Sequence, residues 1–314
     1  MNQTIHKLES NSIAQKVYDW VMAGAGDFAE TDIWRAYSLI DDQKQMCSQT
    51  LKRMLEHGEI ESIGKRYGWY RRVDRSIDVI DWKSASTEEF PINLPFQLHK
   101  QVRIFPKTVI VVSGEKNTGK SAFCLNMVAL NQNIYIDLLD SIAPIYYFSS
   151  EMLAPEFKVR LQGFQEIPIN DWNFEAIHRT ENFEDVIQPD GINIIDFLEI
   201  HDKFWLIGRS ITNIWKRLNN GIAVVCVQKT DGQEHGRGGS FLVEKPRLTI
   251  NLSKRFNDKG ELDGAVCKVT NCKFPRSPFN PNGQSLDYHC IAGTVLNPFG
   301  GWFYDSQKKK SPAY

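Results

Sequence analysis

The chain carries almost no excess charge of either sign: 37 Lys and Arg stand against 38 Asp and Glu, a formal charge of −1 over 314 residues. Without a global basic field, any contact with nucleic acid has to come from a local patch. Long apolar runs are also missing. No stretch approaches the roughly 18 apolar residues of a membrane-spanning helix, and the opening MNQTIHKLES lacks the apolar centre of a secretory leader. A cytoplasmic location with no membrane partner is the expectation. The six cysteines include no C-x-x-C pair, and Cys267 and Cys272 have no histidines at zinc-finger spacing. Buried free thiols are therefore expected rather than a metal knuckle or a disulfide frame.

What is present is concentrated in VIVVSGEKNTGKSAFCLN, Val109 to Asn126. An apolar run, Val109 to Val112, has the look of a buried strand. It leads into Gly114, Asn117, Thr118, Gly119, Lys120 and Ser121, the G-x-x-x-x-G-K-[ST] phosphate-binding loop. Glycines let the backbone curl its N–H groups onto an anion, and the helix that follows adds its positive end. Lys120 is the expected contact to the β- and γ-phosphates, and the Ser121 hydroxyl the expected ligand of Mg²⁺. The guanine-reading N-K-x-D motif is absent.

In chain order, residues 1 to about 10 read as loose. Helical spacing then appears in Ser12 to Met22, in a short helix capped by Thr31, and in Gln43 to Glu56 after Asp41-Asp42. Two extended pieces follow, Ile60 to Ile63 and Gly68 to Val73. Three helices and a hairpin in a domain of residues 1–75 resemble a winged helix-turn-helix, with the third helix reading DNA and the hairpin as wing. Lys44, Lys52, Arg53, Lys65 and Arg66 are the expected phosphate contacts on duplex DNA; a winged helix used for protein contacts is the alternative. Residues 76–95, with Ser84-Ala85-Ser86-Thr87 and prolines at 91 and 95, read as a linker. Residues 96–314 form the second domain.

Within it, Ile145 to Phe148 ends in Ser149-Ser150-Glu151-Met152, which places a carboxylate at a strand tip where it can activate water. Ile192 to Ile195 ends in Asp196, about 75 residues after the phosphate loop, a second carboxylate for Mg²⁺. A helix over Ile207 to Leu218 and a strand over Ile222 to Val227 lead to Gln228, a candidate γ-phosphate sensor. The Gly-rich stretch Thr230 to Lys245 holds Arg237 and Lys245, candidate contacts to a nucleic-acid backbone. Strands resume at Leu248 to Leu252, Ala265 to Lys273 and Tyr288 to Val295.

The order GEKNTGKS, YYFSSEM, INIIDFLEI, IGRS, AVVCVQK and a Gly-rich loop is similar to the RecA-like ATPases. It looks most like the DnaB-type helicase core and its phage and plasmid relatives, which place a catalytic Glu in an F-S-x-E-M strand end. The resemblance implies an α/β fold with a mainly parallel central sheet, ATP and Mg²⁺ as cofactors, Glu151 and Lys120 in catalysis, and a homo-oligomer, the hexamer first, with single-stranded DNA at the core. It also implies a basic finger that reaches the neighbour's nucleotide as Lys-x-Arg after a late strand. Here the spacing is Lys273-x-x-Arg276, one residue longer, and either residue can be the finger. Where that family carries a primase-contacting domain, a winged helix is expected ahead of the core in this sequence. Two functions follow from this reading: a DNA-associated ATPase of a phage, plasmid or other mobile element, or an ATP-gated regulator or assembly switch without motor activity.

Overall fold

The fold is taken from a computed structural model, in which residues 2–23, 26–64, 68–75, 77, 79–198, 206–229, 244–276, 278 and 280–304 are described. The chain divides into two compact units, Met1–Ala85 and Ser86–Tyr314.

The smaller unit runs α1 (Asn2–Ala23), β1 (Asp27–Ala29), α2 (Glu30–Tyr37), α3 (Asp41–Glu56), β2 (Ile60–Ser62) and β3 (Trp69–Arg72). The strands form an antiparallel sheet in the order β1-β3-β2. Val17, Val21, Phe28, Ile33, Leu51 and Ile60 make its core. Three local expectations change. Helix α1 starts at Asn2 rather than near Ser12, since no Gly or Pro interrupts the first 23 residues. Strand β1 has no signature in the sequence; its three residues are too few to show a period, and they are held by pairing with Trp69 to Arg71. Helix α2 starts one residue before Thr31, because the Asp32 carboxylate accepts the Ala29 N–H at 2.8 Å and closes the turn there.

The larger unit contains β4 (Thr108–Gly114), α4 (Lys120–Asn131), β5 (Tyr135–Ile136), β6 (Ser141–Ile142), β7 (Ile145–Ser149), α5 (Ala154–Gln162), β8 (Glu175–His178), β9 (Ile192–Leu198), α6 (Leu206–Arg217), β10 (Ile222–Gln228), β11 (Leu248–Phe256), β12 (Leu262–Cys272), β13 (Gln284–Ile291), β14 (Val295–Pro298) and β15 (Phe303–Tyr304). Ten of the strands form one sheet, ordered β14-β13-β12-β11-β4-β10-β9-β7-β8, with β15 also on β13. From β11 to β8 the neighbours run parallel; β12 to β15 are added antiparallel.

The central strands are apolar on both faces, as a covered parallel sheet requires. On β4, Ile110 and Val112 face a cluster with Phe123 and Val128 of α4, while Val109 and Val111 face Ile207, Ile211 and Ile214 of α6. β10 splits the same way, with Val224 and Cys226 on one side and Ala223 and Val225 on the other. The backbones of β9 and β10 come together at their starts so closely that a Cβ on Gly221 would lie 2.3 Å from the Gly191 carbonyl oxygen.

The stretch expected to link the domains divides in two. Ile77, Val79, Ile80 and Trp82 are exposed, whereas Phe90, Ile92 and Leu94 are buried in the larger unit's core. The Phe90 N–H donates to Ile104 O at 2.7 Å, and Glu89 is held by Arg103 and Arg276. Alternating apolar residues on either side of Pro91 thus form a packed strap, and the linking chain is shorter than expected.

Candidate active site

The C-terminal ends of β4, β7, β9 and β10 lie along one edge of the sheet, the edge at which parallel α/β sheets bind ligands. A cavity of about 620 Å³ opens there, a size that suits a small-molecule cofactor. Its lining brings together Asn117, Gly119, Lys120, Ser121, Glu151, Asp196 and Gln228 from the sequence-predicted set.

The loop after β4 is wound for an anion. Gly119 has φ +88° and Asn117 φ +65°, left-handed conformations that turn successive amides the same way. A Cβ on Gly114 would sit 2.7 Å from Lys120 Cγ and 3.0 Å from Thr118 Oγ1, so only glycine lets the lysine stem lie across the loop. Lys120 Nζ donates to Gly114 O at 3.1 Å and Glu115 O at 2.9 Å. Burial lowers its pKa, opposed by the charges of Cys226, Asp196 and Glu151. Thr118 is buried, with its hydroxyl turned onto Glu115 O at 2.9 Å. Thr118 and Gly114 thus shape the loop from behind and do not line the cavity themselves.

Asp196 is 4% exposed at the end of β9. Burial raises its pKa, and hydrogen bonds from Tyr147 and Ser121 with the Lys120 and Arg160 charges work against that rise. The Tyr147 hydroxyl donates to Asp196 Oδ2 at 2.6 Å. Ser121 and Asp196 together offer the hard oxygen donors that Mg²⁺ prefers, and the glycine-shaped loop beside them fits a triphosphate. Glu151 is exposed at the tip of β7, facing the same space. Gln228 closes the β10 side, its Nε2 3.3 Å from Lys229 O.

Several site residues escape the sequence reading. Arg160 of α5 lines the cavity, gripped by Glu156 Oε1 at 2.8 and 3.0 Å and by Gly293 O at 2.8 Å. Cys290, near the end of β13, and Gly293 of the β13–β14 turn line it as well. The Tyr288 hydroxyl donates to Thr118 O at 2.6 Å and braces the loop from β13. Behind the loop, Lys229 and Glu115 form a buried ion pair, Nζ to Oε1 3.5 Å. Lys229 Nζ also donates to Ser253 Oγ at 2.5 Å, and Glu115 Oε2 accepts the Lys254 N–H at 2.8 Å. Arg160 has a local signal in Glu156 four residues before it; the others are brought in from distant strands.

Lys273 and Arg276 follow β12, whose end pairs with the start of β11 (Cys272 opposite Leu248). They therefore lie toward the edge opposite the cavity, with β4 spanning about 20 Å between the two edges. Lys273 is exposed, its Nζ donating to Glu244 O at 2.6 Å. Arg276 is occupied: it grips both Glu89 oxygens, Nη1 to Oε1 at 3.1 Å, and donates to the carbonyls of His99 and Val102. Burial opposes it, but hydrogen bonds and charge from Arg103 and Arg276 hold the Glu89 carboxyl below its ordinary pKa.

In the smaller unit, α3 buries Cys47, Leu51 and Met54 and exposes Gln45, Ser48, Gln49, Lys52 and Arg53. Lys44 is half-buried, 3.0 Å from Asp41 Oδ1 and 5.7 Å from the Trp34 ring centre. Arg71 pairs with Glu61 at 2.5 Å and Arg72 donates to Met22 O, so both hairpin arginines already have partners. Lys65, Arg66 and Arg237 lie outside the described residues. Lys245 is half-buried on the Trp215 ring, Nζ 3.2 Å from its centre. All six cysteines are free, and all but half-buried Cys290 are buried. No helix among the described residues is long and apolar enough to cross a membrane.

No protein-family model matches the chain, and no curated protein matches it. Solved structures do. A KaiC-like protein from the hyperthermophilic archaeon Pyrococcus horikoshii OT3 superposes with a TM-score of 0.50 at 13% identity, covering 68% of this chain and 99% of that one. The RadB recombinase gives 0.45 at 14% identity, over 63% of this chain and 94% of that one. The first likeness is one of fold, and it agrees with the expected α/β architecture, a large central sheet whose middle is parallel.

Proposed function

We propose that the chain is an oligomeric, DNA-associated ATPase. The observation that carries this reading is the cavity itself. Lys120, Ser121, Glu151, Asp196 and Gln228 come from the ends of four different strands and converge on one space at the edge of the parallel part of the sheet. Lys120 would leave its two carbonyls to hold the β- and γ-phosphates of ATP. Ser121 and Asp196 would hold Mg²⁺, which when bound neutralises charge on the phosphates. Glu151 takes a proton from the attacking water, and its exposed position at the strand tip leaves room for that water. Arg160, fixed by Glu156 and Gly293, supplies a second positive charge to the same space. Gln228, at the end of β10, would couple the γ-phosphate to the Gly-rich stretch that follows it in the sequence.

Of the two finger candidates, Lys273 fits better. A finger acts on the nucleotide of a neighbouring copy and must be free to extend. Arg276 is committed to the Glu89 strap, while Lys273 is exposed and held by a single carbonyl. Lys273→Ala is expected to cut turnover by about 10³-fold or more with little loss of stability. Arg276→Ala is expected to cost about 1–3 kcal/mol of stability and keep turnover per folded molecule near wild type. Phosphate release and thermal melts of both variants check this; the opposite pattern makes Arg276 the finger.

The smaller unit's order of helices and strands supports a winged helix-turn-helix. Its α3 would enter the major groove, with Gln45 and Gln49 toward base edges and Lys52 and Arg53 on phosphates. The DnaB-type resemblance makes a ring of copies, the hexamer first, acting on single strands the leading form, in replication or recombination of a mobile element and in the cytoplasm. The deciding experiment is ATP turnover with and without single-stranded DNA. Stimulation by the strand is expected. Slow turnover indifferent to DNA, with duplex binding intact, would instead make the chain an ATP-gated switch.

A further inference from the structure

The edge of the sheet opposite the cavity gathers positive charge that the hydrolysis reading does not use. Lys107 sits in the turn before β4, its N–H on Gly221 O at 2.9 Å. Arg247 precedes β11, its N–H on Val109 O at 3.1 Å and its carbonyl accepting the Lys273 N–H at 2.9 Å. Those backbone bonds fix the strand starts side by side. Above them, Lys107 and Lys245 both lie over the Trp215 ring, at 5.0 and 3.2 Å from its centre. The Arg247 guanidinium is 5.9 Å from the ring centre of Phe274, which is 41% exposed and packs edge-on against Phe105 at 5.3 Å.

The cations are close enough to oppose one another. After burial, the charges of Arg247, Lys107, Lys216 and Lys273 depress the Lys245 pKa, and Arg247 does the same to Lys273, partly offset by Glu244. Among the described residues, none of Lys107, Lys216, Lys245 and Arg247 has a carboxylate within ion-pair distance. In a chain with a formal charge of −1, such a group of mutually repelling cations is stabilised when an anion arrives. Phosphates answer the charge. The exposed Phe274 ring beside Arg247 answers an unstacked base, which duplex DNA does not offer.

We infer that this edge, built on Lys107, Trp215, Lys245, Arg247 and Phe274, is a binding surface for single-stranded nucleic acid. It rests on the DNA-associated reading above only for its coupling to ATP; the binding itself needs no nucleotide. In the sequence Lys245 belongs to the Gly-rich stretch, and the structure gives it different company, on strand starts and on a helix end. Trp215, which reads as a core residue of α6, becomes the seat of two lysines.

The test is fluorescence anisotropy of the full chain with a labelled oligothymidylate of about 20 nucleotides, without nucleotide, over a salt series. Lys245→Glu with Arg247→Glu is expected to weaken binding at least tenfold and to lower the slope of log K against log salt by about 1.4, two phosphate contacts at 0.7 each. Phe274→Ala is expected to weaken it by about tenfold with the slope unchanged. Lys52→Glu with Arg53→Glu on α3 should weaken duplex binding and spare the oligothymidylate. Should the double reversal unfold the protein, Lys245→Gln with Arg247→Gln and Phe274→Ala decide the matter. Wild-type affinity and slope in these variants overturn the inference. So does unchanged strand binding with loss of nucleotide-dependent self-association, which would give the surface to a second copy. Lys120→Ala separates the two readings: it should lose nucleotide and keep the oligothymidylate, and if it keeps both, the ATPase reading fails while this one stands.

Discussion

Replacing Glu151 by Gln is expected to lower ATP turnover by about 10²–10⁴-fold while ATP still binds with an affinity within a few-fold of wild type. The two side chains have the same shape, so the change removes a base and leaves the space. Glu151 is exposed at the tip of β7, and its charge is among those that favour the protonated Lys120. Losing that charge leaves the lysine with Asp196 and with the phosphates themselves, so binding should survive. Asp196→Asn should behave differently. Asp196 is nearly fully buried and tied to Tyr147 and Ser121. Its amide would weaken the cation site and disturb the strand end, lowering both affinity and turnover. Phosphate release at saturating ATP and titration with a fluorescent ATP analogue separate the two. Turnover within threefold of wild type in Glu151→Gln would remove Glu151 from the chemistry and direct attention to another group for water activation.

The legible part of this site is local. Eight consecutive residues make the phosphate loop, and the two carboxylates and Gln228 each end an apolar strand of their own. In a parallel sheet such ends share one edge, so three separate strand tips can be brought together on paper. The smaller unit's helices are legible for the same reason, since Leu51 and Met54 repeat at helical spacing within one segment. What stays hidden is set by pairing over long separations. Strand β1 exists only because Trp69 to Arg71 come back to it. Phe90, Ile92 and Leu94 alternate like a strand but form a strap, because Arg276, far along the chain, holds Glu89. Cys290 at the end of β13 and Gly293 in the turn after it reach the cavity by an antiparallel extension whose register no local pattern states. The hairpin's Arg71 and Arg72 add positive charge to the sequence, yet both are used within the unit.

The largest stability effect is expected at the Glu115–Lys229 pair, which links the phosphate loop to the tip of β10 and, through Ser253 and Lys254, to β11. Both residues are nearly fully buried, Lys229 at 4% and Glu115 at 5% exposure. Lys229→Met keeps the volume and takes the ammonium away from a buried carboxylate that still accepts the Lys254 N–H, a change expected to cost up to about 3–5 kcal/mol. For a unit of this size that is a fall of roughly 6–20 °C in Tm. Glu115→Gln should cost less, because the amide oxygen still accepts the Lys254 N–H and Lys229 keeps Ser253. The informative variant is the double one, Glu115→Gln with Lys229→Met. With both charges gone no buried charge is left without its counter-charge in this pair, and the new amide keeps an acceptor for the Lys254 N–H. The double variant should therefore be more stable than Lys229→Met alone by more than about 1 kcal/mol. Such a gain, seen in thermal melts or denaturant titrations, would identify the pair as a coupled unit. Strict additivity, or a Lys229→Met variant within about 0.5 kcal/mol of wild type, would show that water or neighbouring polar groups already satisfy the carboxylate. The same double variant reports on function. If the pair sets the geometry of the loop against the β10 tip, it should fold well yet bind ATP more weakly, because the backbone pairing of Gly114 with Gln228 would remain while Glu115, the next residue of the loop, would lose its buried side-chain partner.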